Sequence, residues 1–129
     1  MNGNDKRAYA WLKIAVLYFA LAVAIGAAMG ASPSHDMRLM PVHAHLNLLG
    51  WVSMSLIGLL HLRFPALGDG KLAAVQFYSY QVCVPLTLMA LAFLLTGTES
   101  IGPVVGILSI IVVLSIALFA VKLWSVCKA

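Results

Sequence analysis

Four apolar runs, at 9–30, 40–62, 72–96 and 101–123, dominate this chain. Each is close to the ~20 residues that a helix needs to cross the hydrocarbon of a bilayer. What remains is a short polar tip, a first loop at 31–39, a second at 63–71, a very short third at 97–100 and a tail. There is no room for a water-soluble domain, so residues 1–129 are read as one transmembrane domain: an all-α, integral membrane four-helix bundle. Composition agrees. Apolar residues make up 63% of the chain and charged residues only 9%, with a mean hydropathy of +1.01. A soluble domain carries roughly 25% charged residues, whereas lipid asks for none along its contact area.

The first run has a cationic approach in Lys6, Arg7 and Lys13 and ends in small residues, as a secretory signal does. A signal's apolar core spans about 7–15 residues, and this one extends from Ile14 to Ala31, so it is read as the first helix. Short loops rich in Lys and Arg stay on the cytoplasmic side. Lys6, Arg7, Lys13, Arg63, Lys71, Lys122 and Lys128 all fall on one side of the four-span topology, and only Arg38 falls on the other. Both termini are therefore expected in the cytoplasm of a bacterium, in its inner (plasma) membrane, with the start of the second helix facing outward. The basic pI near 9.3 reflects these scattered charges and forms no patch, which excludes nucleic acid as a partner. Cys83 and Cys127 form neither a metal-type pair nor a disulfide framework.

The first helix carries Ala20, Ala24, Gly26, Ala27, Gly30 and Ala31 at spacings that let helices approach closely in lipid. In the third, Pro85 is expected to kink the helix, and Gln76 and Gln81 to bond across helices or to support a site.

One segment is chemically loaded. His35, Arg38, His43, His45 and Asn47 lie within thirteen residues that lead into the second helix. Pro41 suits an early helical position, where its missing N–H costs nothing, so His43 and His45 fall inside the apolar run. Ionisable groups within a span are costly and usually face the bundle interior or a cavity. At about 100° per residue the two rings point about 160° apart, so they do not clamp one ion together. His43 shares a stripe with Asn47, Gly50, Met54 and His61; His45 shares one with Leu49, Val52 and Leu56. An imidazole at the end of a membrane helix, with glycine and small residues below it, is what axial ligation of haem b requires. Gly50 and Gly58 would admit a flat macrocycle, Trp51, Met54 and Leu56 would wall it, and Arg38 would pair with a propionate. Periodicity alone leaves a bare copper or zinc ion at His35, His43 and His45 as an alternative, and a non-catalytic assembly in which the histidines bond across an interface as another. His61, about 24 Å from His45 along the helix, would serve a separate site.

The run His45-Leu46-Asn47-Leu48-Leu49, with Trp51, Gly58 and an exit at Arg63-Phe64-Pro65, resembles the second transmembrane helix of subunit I in haem-copper oxidases, especially the nitric oxide reductase and cbb3-type branches. The resemblance covers about thirty residues. It implies that His45 is the axial ligand of a low-spin haem b and that the chain acts in electron transfer or in binding a diatomic gas such as NO or O2. The additional His43 resembles short membrane proteins related to these oxidases and leaves the choice between His43 and His45 open. The third and fourth helices contain no histidine, so the chain supplies neither a second axial His nor a three-His copper site. The missing ligand would come from a Met such as Met40 or Met54, or from a second copy in a homo-oligomer that works with a redox partner.

Overall fold

A computed structural model describes residues 3–34 and 36–128, with side chains from residue 6 onward; His35 lies outside the described residues. Helix α1 spans Gly3–Ala31 and α2 spans Met40–Arg63. Helix α3 spans Gly70–Leu95 and α4 spans Gly102–Cys127. Each belongs to a segment long and apolar enough to cross a membrane. Short 3-10 turns at Pro65–Gly68 and Glu99–Ile101 lead into α3 and α4. The helices outrun the apolar stretches at two ends. Helix α1 takes in part of the polar tip and α4 continues to Cys127, because the backbone ladder does not stop where side chains turn polar.

Local chemistry sets the other boundaries. Helix α1 stops ahead of Ser32-Pro33 and α2 ahead of Phe64-Pro65, as the residue before a proline avoids the helical region. Pro41 and Pro103 open α2 and α4. Helix α3 ends in a Schellman turn: Gly97 takes φ of +112°, its N–H reaches Leu94 O at 3.2 Å, and the Thr98 N–H reaches Phe93 O at 3.0 Å. Helix α3 runs unbroken through Pro85.

Helix α2 changes winding part-way. It is α-helical over Met40–His45, π-helical over Leu46–Ser53 and α-helical again over Met54–Arg63. Such wide turns occur mostly as single-turn bulges, often at functional sites. Within this stretch the fully buried Tyr80 of α3 donates its hydroxyl to the Leu49 carbonyl at 3.1 Å.

The backbones pair as two hairpins, α1 with α2 and α3 with α4; those of α2 and α4 do not meet. Long side chains join the hairpins. Trp11, fully buried, packs edge-on against Phe77 at 5.1 Å and Tyr80 at 5.4 Å and lies 6.5 Å from His61, whose ring stacks on Phe119 of α4 at 6.0 Å. At this end cations tie down the second loop. Arg7 donates to Gly68 O at 2.7 Å, and Lys122 to Leu67 O at 2.7 Å and Asp69 O at 2.9 Å. Helices α3 and α4 are stitched by Ser115, whose hydroxyl donates to Gln76 O at 3.0 Å and accepts from Ser79 at 3.1 Å. The side-chain amide nitrogens of Gln76 and Gln81 find no partner among the described residues, so it is a backbone carbonyl of this segment that bridges helices.

Close approach of α1 to α2 rests on glycine. A Cβ on Gly50 would collide with the Tyr18 ring and come within 2.8 Å of its Cβ, an atom that no rotamer change can move aside. Gly50→Ala is therefore expected to destabilise the fold by about 1–3 kcal/mol through overpacking. Thermal unfolding in detergent should show this loss, with part of it recovered when Tyr18→Ala is added. An unchanged midpoint for Gly50→Ala would show that the two helices are not packed this closely.

Candidate functional site

The two histidines at the start of α2 face separate recesses. His45 lines a cavity of about 340 Å³ with Leu49 of α2, Thr87, Leu88 and Leu91 of α3, and Val112 among the α4 residues. The cavity exists because the α2 and α4 backbones stand apart. A second recess of about 220 Å³ lies along the same seam, between Leu56 and Ile57 of α2 and Phe119 of α4, and Ile116 borders both. His45 is itself exposed, and its Nδ1 lies 2.7 Å from the Pro41 carbonyl. A carbonyl only accepts, so Nδ1 carries the proton. In the neutral ring Nε2 is then left with its lone pair, the state in which a histidine ligates a metal.

His43 turns the other way, toward α1. A Cβ on Gly26 would come within 2.7 Å of His43 Cε1, so the imidazole lies directly against the glycine. Asn47 donates its amide to the His43 carbonyl at 3.0 Å, and the same nitrogen lies 3.4 Å from His43 Nε2. His43 Nδ1 is buried with no partner among the described residues. His61 is buried at the far end of α2, with Nδ1 donating to Ile57 O at 2.8 Å.

Several residues assigned to a haem slot from sequence are employed elsewhere. Gly50 is covered by the Tyr18 ring and Gly58 by Leu12 and Trp11, so both glycines admit α1 and not a macrocycle. Trp51 packs on Phe19 of α1 at 4.7 Å, and Met54 is fully buried in the core. Arg38 is committed to Asp36: Nη2 meets Oδ2 at 2.6 Å, Nε lies 2.9 and 3.0 Å from the two oxygens, and the backbone N–H reaches Oδ1 at 3.0 Å. His43 and His45 do not converge, and among the described residues no group of three or more His, Cys, Asp or Glu side chains is placed to hold a metal ion. Of the residues named from sequence, only His45 with Leu49 shares the larger recess, while Leu56 lies farther along the seam.

Thr87, which adds polarity to the larger recess, had no signature, because single hydroxyl residues are common in membrane helices. Thr87 spends its hydroxyl on the Cys83 carbonyl at 2.7 Å. The methionines beside His43 did leave a trace: three of the chain's six fall within residues 29–40.

No family model, no curated protein and no solved structure matches this chain.

The Asp36–Arg38 pair gives the first loop a defined pH response. Hydrogen bonds from Arg38, with its charge adding to them, hold the Asp36 carboxyl at about 2 against its ordinary 3.8. Because the folded-state value is the lower one, the pair's contribution is complete above pH 3.8 and is lost as pH falls through about 2. An infrared or NMR titration of Asp36 should show a midpoint near 2 that moves up toward 3.8 in Arg38→Gln. A midpoint already at 3.8 in the unaltered chain would show that the pair does not form.

Proposed function

We propose that this chain is a haem b-binding membrane protein, with His45 as axial ligand, that acts in electron transfer or in binding a diatomic gas. The observation that carries the reading is the state of the His45 ring. Its Nδ1–H is held by the Pro41 carbonyl at 2.7 Å, and the ring lines an apolar recess of about 340 Å³. A volume of that order lies within the roughly 300–1,000 Å³ of small-molecule sites, and the second recess extends it along the α2–α4 seam.

The residues present suit one axial bond. Pro41 fixes the tautomer and raises the basicity of the ring, as the outer partners of ligating histidines do. Leu49, Leu88, Leu91 and Val112 give the recess a water-excluding lining. A haem held there would supply a one-electron iron couple and a face for a small gas. The apolar lining would tune that couple by lowering the local dielectric. Since α3 and α4 carry no histidine and neither Met40 nor Met54 lines the His45 recess, the opposite ligand would come from a second copy, for which the exposed position of His45 leaves room. Arg38, already paired, is not needed for this reading.

The same reading places the chain in the inner membrane of a bacterium with both termini in the cytoplasm. It is supported by Arg7 and Lys122, which meet the second loop at one end of the bundle, leaving Arg38 at the other. The apolar residues exposed along α1 and α4, among them Leu17, Val23, Ile107, Ile110 and Leu114, fit contact with lipid.

The test is an optical one. Protein produced in haem-replete cells should give a Soret band that shifts on reduction with dithionite. His45→Ala should lose it, and His43→Ala should keep it. An unaltered chain with no Soret band and no haem by pyridine assay would sink the proposal. Loss in His43→Ala with retention in His45→Ala would transfer the ligand to the other ring.

A further inference from the structure

A separate recess, apart from the one that His45 lines, lies between α1, the first loop and α2. Met29 near the end of α1, Met37 in the loop, and Met40 and His43 at the start of α2 border one recess of about 170 Å³ floored by Gly26 and Gly30. We propose that this recess is a binding site for a soft monovalent metal ion, Cu(I), held by the three thioethers and His43 Nδ1.

Thioethers are neutral, polarisable donors that select Cu(I), while zinc sites rely on thiolate, imidazole and carboxylate. No thiolate borders the recess, and the nearest carboxylate in sequence, Asp36, is neutralised by Arg38. A singly charged ion is the one that such a neutral set carries into an apolar helix end at least cost.

His43 Nδ1 is buried without a partner among the described residues, although the ring belongs to the wall of the recess. A buried polar atom left in this state is unfavourable, and a metal bond at Nδ1 removes that cost. The proton balance is internal. With Asn47 offering an N–H toward Nε2 at 3.4 Å, the empty ring carries its proton on Nδ1. On binding, that proton passes to Nε2, and the Asn47 amide turns so that its oxygen accepts it, giving up the 3.0 Å bond from its nitrogen to the His43 carbonyl. Asn47 thereby becomes the orienting partner that ligating histidines commonly have. The glycines serve the same geometry, since a side chain on Gly26 would push the imidazole away. Met37 and Met40, about half exposed, are unbranched and flexible enough to close over an ion.

The experiment is an anaerobic titration of the purified full-length chain in detergent with Cu(I) buffered by bicinchoninate. The unaltered protein should withdraw one Cu(I) per chain, with sulfur scattering in its X-ray absorption spectrum. The triple variant Met29→Leu, Met37→Leu, Met40→Leu changes shape little and should keep the helical circular dichroism while losing the metal. His43→Ala should lose it as well, and Asn47→Leu should bind about 10–100-fold more weakly. His45→Ala should bind as the unaltered chain does, which separates this site from the haem proposal. Failure of the unaltered chain to compete for Cu(I), undiminished binding by the triple methionine variant, or equal preference for Zn(II) would each overturn it.

Discussion

In lipid a backbone carbonyl has no water to fall back on, so any departure from regular helix must be met by a donor from within the protein. Helix α2 departs over Leu46–Ser53, and the donor is the Tyr80 hydroxyl, which reaches the Leu49 carbonyl at 3.1 Å. This bond does more than satisfy one oxygen. The backbones of the two hairpins meet sparsely, and Tyr80 is one of the side chains that span the gap. Its ring also leans on Trp11 at 5.4 Å. The altered winding of α2, the docking of α3 and the burial of Trp11 are thus parts of one arrangement. His43 and His45 sit in the turn just before it begins.

The larger recess lies toward one end of the α2–α4 seam because of where the long side chains fall. Aromatic rings are the side chains long enough to bridge helices whose backbones stand apart, and they gather near the second loop. There Trp11, Phe77 and Tyr80 interlock, His61 stacks on Phe119, and Arg7 and Lys122 cap the loop carbonyls. Toward the first loop the bridging positions on α3 and α4 are Leu88, Leu91, Val105 and Ser109, too short to fill the seam. A recess forms where size runs out, and His45 stands on its border. The cavity is thus a consequence of where the aromatics are not.

Much of this architecture is legible in the sequence because lipid reads composition. A run of about twenty apolar residues has few alternatives to a helix there. Helical arithmetic also separates His43 from His45, since two residues at 100° leave the rings on different faces whatever surrounds them. What could not be read is which neighbour fills each face. Gly50 admits a flat object, and only the packing of α1 shows that the object is Tyr18. Arg38 is suited to a carboxylate, and only the loop conformation shows that Asp36, two residues away, takes it. The winding of α2 over Leu46-Asn47-Leu48-Leu49-Gly50 leaves no mark in residue type. Met29 and Met37 belong to different elements from His43, so their meeting at one recess is a tertiary fact.

The three described imidazoles of α2 also show how one residue type is given different chemistry by its own helix. His45 and His61 each turn Nδ1 back to the carbonyl four residues earlier, on Pro41 at 2.7 Å and on Ile57 at 2.8 Å. That bond needs no other helix, so the tautomer is set before tertiary packing, and in the neutral ring Nε2 is the nitrogen with the lone pair. What differs is the surrounding: His61 is enclosed by Trp11 and Phe119, whereas His45 borders an open seam. His43 lacks the backward bond because its ring lies on Gly26 with Nε2 toward Asn47. Nδ1 is therefore the nitrogen left over, beside thioethers instead of an apolar seam. An apolar seam and a pocket bordered by thioethers are two different environments for an imidazole. Residues 43 and 45, two positions apart, present them on opposite sides of one turn.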